Sequence, residues 1–409
     1  LKDGSRAYYG AQLDMNGDGL LDVAYSGFTP GEGKPGIYWA PITAAGSFGP
    51  PQIALPGTPL HPPLATDLNG DGSADLLAST ETGGLRWVPV PAAGPLGEPR
   101  TILPPNPSRP LSLLTAADFD GDGDTDVAVP EGSESLRLHL NDGTGSFLPG
   151  LLTPLPPGFR TDGLLSADLD IDGRAELIFL QDAGSTYLGW NNGPQGFALV
   201  ATVPQPVSSP DYTPQVRFVH GADLNGDGHQ DMLTIQSVFG GDIDGPNLFL
   251  EMGQGDRQLG TRGGTLLFSS TPLGNFAGVS TVDLDRDGDL DLIVSHLGRD
   301  VPLRYALNNG LGRFSSLVNV TSQTIGSNGA YQALVGDIEG DGDPDIVTFF
   351  DYSVAALFNN GPPPPVIQIQ NSANLSEDGA DASLRINVSG LTRPQRLEFA
   401  WLPTSTANA

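Results

Sequence analysis

Asp118-Phe119-Asp120-Gly121-Asp122-Gly123-Asp124-Thr125-Asp126 places five carboxylates and two glycines in nine residues. The pattern Asp-x-[Asp/Asn/Glu]-x-Asp-Gly-x-x-[Asp/Glu] recurs seven times in the 409 residues, starting at Asp14, Asp67, Asp118, Asp168, Asp223, Asp283 and Asp337. The intervals are 53, 51, 50, 55, 60 and 54 residues. A near-constant period of this size marks a repeat architecture. The first and fifth positions are Asp throughout. The sixth is always Gly: Gly19, Gly72, Gly123, Gly173, Gly228, Gly288 and Gly342.

This spacing suits a hard cation. Ca²⁺ takes six to eight oxygen ligands, and side chains at alternate positions of a tight loop can converge on one point. The sixth-position Gly permits the sharp turn. Positions one, three, five and nine offer side-chain oxygens, and position seven a backbone carbonyl. The first loop supplies Asp14, Asn16, Asp18 and Asp22 with the Leu20 carbonyl, and the second Asp67, Asn69, Asp71 and Asp75 with Ser73. The third supplies Asp118, Asp120, Asp122 and Asp126 with Asp124, and the fourth Asp168, Asp170, Asp172 and Glu176 with Arg174. The fifth has Asp223, Asn225, Asp227 and Asp231 with His229. The sixth has Asp283, Asp285, Asp287 and Asp291 with Asp289, and the seventh Asp337, Glu339, Asp341 and Asp345 with Asp343.

An EF-hand would add a Glu at position twelve and a following helix, and neither is present. The loops hold 28 of the 48 acidic residues and −26 of the net charge of −29. Without metal, such crowding raises carboxylate pKa values and costs stability. One Asp-Gly loop is as well read as an ordinary turn. Seven in register favour about seven structural Ca²⁺ ions.

Each loop runs into a short apolar stretch, such as Asp126-Val127-Ala128-Val129, Glu176-Leu177-Ile178-Phe179-Leu180, Asp291-Leu292-Ile293-Val294 or Asp345-Ile346-Val347. These read as strands buried on both faces. An alternating segment follows, with Leu136, Leu138 and Leu140 set between Arg137 and His139, which predicts a half-buried strand with His139 facing outward. Asn141-Asp142-Gly143, Asn191-Asn192-Gly193 and Asn308-Asn309-Gly310 then signal hairpins, leading to a fourth strand opened by Phe147, Phe197 or Phe314. Four strands in about 50 residues make one blade of a β-propeller. Seven loops therefore predict an all-β propeller of seven four-stranded blades. A parallel β-helix with metal-binding turns has far shorter repeats.

The chain at this point resembles the FG-GAP/VCBS repeats, as in the propeller of integrin α subunits and many bacterial surface proteins, over residues 1–361. The resemblance implies that each loop joins the first and second strands of its blade and holds Ca²⁺. Glu176 and Glu339 depart from the usual Asp, and Phe48-Gly49-Pro50 is the nearest match to the Phe-Gly…Gly-Ala-Pro motif. Pro362 to Pro365 form an extended linker. Residues 366–409, with strands expected at Val366–Ile369 and Leu384–Val388, resemble the first half of a Calx-β sandwich. That remnant is either cut short or packed on the propeller. Residues Leu1 to Arg6 are expected to complete the seventh blade, which has no evident fourth strand after Asn359-Asn360-Gly361.

The chain has no Cys, which excludes disulfides, thiolate metal sites and thiol nucleophiles. The negative charge argues against nucleic acid and anionic lipid, and no stretch has the apolar length of a membrane span. Opening on Leu1, the chain reads as a processed or excised product. The five His (His61, His139, His220, His229 and His296) show no metal-ligand spacing, and no nucleophile elbow, phosphate loop or zinc motif occurs. The loops absorb most carboxylates that a glycosidase pair would need. No enzyme is expected, the alternative being a hydrolase or lyase whose site no motif reveals.

Trp39 and Trp87 share a local pattern that favours packing between blades over sugar stacking; Trp190 and Trp401 complete the set. The expected protein is an extracellular, secreted or surface-bound, calcium-stabilised module for binding or adhesion, its partner a protein or glycan of a cell surface or matrix. A lectin, an accessory domain of a polysaccharide-active enzyme, and a structural unit of a surface layer or filament remain the alternatives. Long segments at Gly27–Pro35, Val200–Pro214, Val238–Asn247 and His296–Pro302 are expected to share the face opposite the acidic loops. The partner would dock there near Tyr212, Phe239, Asp242 and Asp244.

Overall fold

In every repeat the ninth loop residue is also the first residue of the blade's second strand, so loop and strand are one unit. The computed structural model describes residues 10–28, 35–43, 47–57, 62–80, 84–106, 113–132, 134–157, 159, 161, 163–180, 187–201, 215–238, 245–259, 264–269, 275–297, 303–320, 329–350, 353–359, 383–388 and 395–400.

The first blade comprises Gly10–Leu13, Asp22–Phe28, Pro35–Ala40 and Gln52–Pro56, and the second Leu64–Thr66, Asp75–Ser79, Leu85–Val88 and Arg100–Leu103. The third comprises Thr115–Ala117, Asp126–Pro130, Ser135–Asn141 and Phe147–Pro154, and the fourth Gly163–Ala167, Glu176–Leu180, Tyr187–Asn191 and Phe197–Ala201. The fifth comprises Gln215–Ala222, Asp231–Val238, Gly245–Glu251 and Thr265–Phe268, and the sixth Asn275–Val282, Asp291–Leu297, Leu303–Ala306 and Val318–Asn319. The seventh has three described strands, Gln332–Gly336, Asp345–Phe350 and Ser353–Leu357. Neighbouring strands pair antiparallel, in chain order. The predicted seven-bladed propeller is what forms, and the acidic loops join first and second strands. Among the described residues the sole helix is the short 3-10 turn Gly193–Gln195.

A propeller has no single core. Its apolar residues meet between blades, because each sheet has a neighbour on both faces. Val90 and Leu76 of the second blade meet Trp39 and Leu13 of the first. Trp87 and Leu77 meet Val127 and Val129 of the third. Trp190 and Leu169 of the fourth meet Met232 and Leu259 of the fifth. Trp39, Trp87 and Trp190 are all buried, so they pack between blades as expected; Trp401 lies outside the described residues.

This double-sided packing corrects the alternation expected of the third strands. His139 and Arg304 are buried, because a third strand is also covered from both sides. Exposure belongs to the outer strands, where Ile53, Leu148 and Leu152 are exposed. Phe314 does not open a fourth strand. Ser315 intervenes, its N–H donating to Leu307 O at 2.8 Å and its Oγ accepting from Leu307 N–H at 3.0 Å. The strand resumes at Val318.

The first strands close round the axis through polar contacts. Thr115 Oγ1 and Ser166 Oγ are 2.6 Å apart, joining blades three and four. His220 Nε2 and Thr281 Oγ1, 2.9 Å apart, join five and six. Gly10 N–H donates to Gln332 Oε1 at 3.0 Å, joining seven to one. A Cβ on Gly10 would lie 2.4 Å from the Phe349 ring and from Ala24 O, so this closure needs a glycine. Val23, Tyr25 and Tyr38 of the first blade share a cluster with Phe349 and Val354 of the seventh. The proposed role of Leu1 to Arg6 in the seventh blade falls outside the described residues, as do the Pro362–Pro365 linker and the expected Val366–Ile369 strand. Beyond them, Ser383–Val388 pairs antiparallel with Gln395–Ala400.

The Asn of each hairpin signal also fastens one blade to the previous one. Asn141 Nδ2 donates to Leu68 O at 2.9 Å, Asn191 Nδ2 to Phe119 O at 2.9 Å and Asn308 Nδ2 to Leu224 O at 2.7 Å. Each acceptor is the second residue of the preceding acidic loop. Asn308 Nδ2 also reaches Leu290 O at 3.0 Å. Asn308→Ala should therefore destabilise the fold by roughly 2 kcal/mol or more, through orphaned buried carbonyls. The exposed neighbour change Asn309→Ala should cost about 0.5 kcal/mol or less. Paired denaturant melts check this contrast.

Candidate metal centres

The acidic loops share one backbone path, built by their own carboxylates. The first Asp turns inward and collects the N–H groups of positions four and six in five loops, and of positions five and six in the fourth and sixth. In the third loop, Gly121 N–H reaches Asp118 Oδ1 at 2.7 Å and Gly123 N–H reaches Asp118 Oδ2 at 2.8 Å. The fifth Asp accepts from position seven in all seven loops, as Leu20 to Asp18 at 2.9 Å, His229 to Asp227 at 2.9 Å and Asp343 to Asp341 at 2.8 Å. The predicted seventh-position residues therefore point their N–H groups back into the loop.

The ninth carboxylate lies under the loop, and Asp22, Asp75, Asp126, Glu176, Asp231, Asp291 and Asp345 are all 0% exposed. One oxygen accepts the N–H of position two, as Phe119 to Asp126 Oδ2 at 3.0 Å. The other accepts from the start of the third-to-fourth-strand turn, as Asn141 to Asp126 Oδ1 at 2.8 Å. The longer Glu176 manages the same bracket, with Leu169 at 2.7 Å and Asn191 at 3.4 Å. An ionised carboxylate has about four lone-pair directions, so these bonds leave room for a cation.

Burial raises the pKa of these groups, opposed by the two backbone donors and reinforced by the other loop carboxylates. Asp75, Asp126 and Asp291 are pushed up to about 6, and Asp22, Glu176 and Asp345 to about 7.

Among the described residues, three sets of carboxylates bring one oxygen each to within 4.8 Å of one another: Asp118, Asp120 and Asp122; Asp168, Asp170 and Glu176; Asp283, Asp285 and Asp291. In the fourth and sixth loops the buried Asp170 Oδ1 and Asp285 Oδ1 have no hydrogen-bond partner. A buried, unpaired carboxylate oxygen is costly, and an all-oxygen donor set with such an orphan fits a hard divalent cation. The first, second and fifth loops place Asn16, Asn69 and Asn225 at position three. The Asn16 amide donates to Asp22 Oδ2 at 3.2 Å and the Asn225 amide to Asp227 Oδ2 at 2.9 Å. In the seventh loop, Asp343 pairs with Arg286 of the sixth.

Sequence reasoning assigned the turn to the sixth-position Gly alone, but position four is also left-handed. Gly17, Gly70, Gly121, Gly226 and Gly340 have φ of 70 to 83°, and the same conformation is forced on Ile171 (61°) and Arg286 (63°). Glycine at position four in five loops was the available signal. The contribution of Arg257, described below, had none, because it comes from the next blade. Tyr212, Phe239, Asp242 and Asp244, suggested for partner docking, lie outside the described residues.

The FG-GAP-like repeat model matches residues 14–78, 67–129, 118–179, 168–234, 223–294 and 283–348. The chain belongs to this repeat family. A search of curated proteins found no match. Among solved structures, it is similar to an Agrocybe aegerita lectin described as recognising non-reducing terminal N-acetylglucosamine, with TM-score 0.57 and 21% identity over 79% of this chain and 81% of that one. It is also similar to the BP39L lectin of Burkholderia pseudomallei, with TM-score 0.59 and 17% identity over 88% of this chain and 99% of that one. At these identities the likeness concerns the fold.

The loop geometry sets two expectations. A Cβ on Gly123, at φ 93°, would meet nothing within 4 Å, so Gly123→Ala should cost about 1–2 kcal/mol for conformation alone. Ile171→Gly should relieve that same strain and leave stability unchanged or up to about 1 kcal/mol higher. Thermal melts of the two variants give the signs.

The raised ninth-position carboxylates make the metal-free fold bind more protons than the unfolded chain between about pH 4 and 7. Its stability should therefore fall as pH rises through that window. Melting temperatures of dialysed, metal-free protein at pH 5 and 7.5 check this, the higher value being expected at pH 5.

Proposed function

We propose that the acidic loops hold structural Ca²⁺ ions and that the propeller works outside the cell as a binding or adhesion module rather than as an enzyme. The observation carrying the reading is the pair of buried, unpartnered oxygens, Asp170 Oδ1 and Asp285 Oδ1, each within a converging carboxylate set. Membership of the FG-GAP-like repeat family supports it. The third, fourth and sixth loops would hold their ions through carboxylates of positions one, three, five and nine. Bound Ca²⁺ supplies charge neutralisation there. The protein's own part is to hold the oxygens in place by backbone N–H bonds and buried brackets.

An extracellular setting keeps such sites filled at modest affinity, since extracellular modules bind Ca²⁺ at roughly 10⁻⁴–10⁻³ M. Among the described residues no helix is long and apolar enough to cross a membrane. The partner would be a protein or a glycan of a cell surface or matrix. The burial of Trp39, Trp87 and Trp190 removes three of the four tryptophans as sugar-stacking platforms.

Ca²⁺ that binds only the folded state stabilises it by mass action. Chelation should lower the melting temperature by several degrees or more, with poor rescue by Mg²⁺, which demands near-octahedral geometry. Elemental analysis showing two or fewer Ca²⁺ ions per chain would refute the structural role. Attachment assays on cells and matrix, run beside a glycan array and a hydrolase screen, test the module. Binding confined to glycans would make it a lectin.

A further inference from the structure

The fourth loop carries a cation of its own. Arg257 stands in the connection between the third and fourth strands of the fifth blade, and its guanidinium crosses to the fourth. Its Nε lies 2.5 Å from Asp170 Oδ2 and its Nη2 3.2 Å from Asp172 Oδ2. Its Nη1 donates to Asn192 Oδ1 at 2.6 Å and its Nη2 to Asn191 O at 2.9 Å. The Cζ sits 5.8 Å from the centre of the Trp190 ring. Arg174, at position seven of the loop, adds a second guanidinium on Asp172 Oδ2 at 2.6 Å.

The placement is built rather than incidental. Gly253 N–H is held by Asp231 Oδ1 of its own blade at 2.8 Å. A Cβ there would stand 2.0 Å from Gln230 O. On the other side Leu259 is 1% exposed, in a cluster with Leu169 and Trp190. Where blades three, four, six and seven use an Asn to grip the preceding loop, the fifth has Gly253 at that place and sends Arg257 instead. The side chain of Asp170 is 8% exposed. Its Oδ2 is taken by the arginine and its buried Oδ1 has no hydrogen bond, while the carboxylate converges with those of Asp168 and Glu176.

We propose that Arg257 is a built-in counter-cation of the fourth loop, competing with Ca²⁺ for Asp170 and Asp172, so that this loop binds Ca²⁺ more weakly than the third and sixth and the junction of blades four and five holds together without it. The inference rests on the calcium reading above. Ligand charge sets Ca²⁺ affinity, and a unit positive charge on two ligand carboxylates both lowers that charge and repels the ion. In a partly buried site this amounts to a weakening on the order of tenfold to a hundredfold.

The test is Ca²⁺ stoichiometry by equilibrium dialysis over a range of free Ca²⁺, on the wild type and Arg257→Gln. The wild type should show one class of ion at least about tenfold weaker than its tightest class, and the variant should move about one ion per chain into the tight class. Without metal the variant should melt below the wild type, and saturating Ca²⁺ should close the gap. An equal melting deficit with and without Ca²⁺, and an unchanged tight class, would mean a purely structural ion pair and overturn the proposal. A wild type binding no Ca²⁺ would fail the calcium reading itself and the proposal with it.

A second measurement does not depend on the folding of Arg257→Gln. The part of the Ca²⁺-dependent fluorescence change that Trp190→Phe abolishes should appear only above the concentrations that fill the tight class. Coincidence with that class would also overturn the proposal.

Discussion

Everything in this propeller hangs on a buried carboxylate that brackets its blade. The seven ninth-position residues, Asp22 to Asp345, have no exposed surface, yet each carries a potential charge into the sheet. Two backbone N–H groups make this tolerable. One comes from the start of the loop and the other from the turn between the third and fourth strands. A charged group in such surroundings is expensive unless fully bonded. The same bonds fix the loop over the second strand and align the turn beside it. Loss of either donor would leave one oxygen of a buried acid without its backbone partner.

From that bracket the blade extends in both directions. The apolar residue at position two of each loop, from Met15 to Ile338, is buried, and the backbone carbonyls of Leu68, Phe119, Leu224 and Leu284 face the next blade. Where the next blade begins its turn with Asn, that carbonyl gains a donor. Apolar packing between sheets then supplies the non-directional part of the association. Among the described residues the ring closes through Gln332 and Gly10 and through aromatic packing around Phe349.

The acid content follows from local backbone needs as well as from ion binding. First and fifth Asp residues act as acceptors for loop N–H groups in every repeat, whatever else they hold. The third position varies, as Asp, Asn or Glu, and with it the balance of negative charge. The fourth and sixth loops carry side chains other than Gly at a left-handed position, and guanidinium groups cluster around these same loops. Arg286 reaches from the sixth loop to Asp343 of the seventh, and Arg257 from the fifth blade to the fourth loop. Charge is therefore met partly by cations from within the chain and unevenly around the ring.

The period of the acidic loops was legible in the sequence because each loop builds itself from contacts within nine residues. Blade number followed from it, the double burial of the second strand followed from the apolar run after each loop, and the place of each loop between first and second strands came from the family resemblance. The inter-blade role of Trp39 and Trp87 was legible too, since the same local pattern appears in consecutive repeats. Contacts between blades were not. His139 and Arg304 alternate with apolar neighbours as a half-exposed strand would, but a second sheet covers them, and no one-dimensional period records a neighbour about 50 residues away. The grip of Asn308 on Leu224 O, and the reach of Arg257 to Asp170 across 87 residues, depend on how adjacent wedges are rotated about the axis. Local chemistry determined the loops and blades; only the packing of one blade on the next decided which of their charges meet.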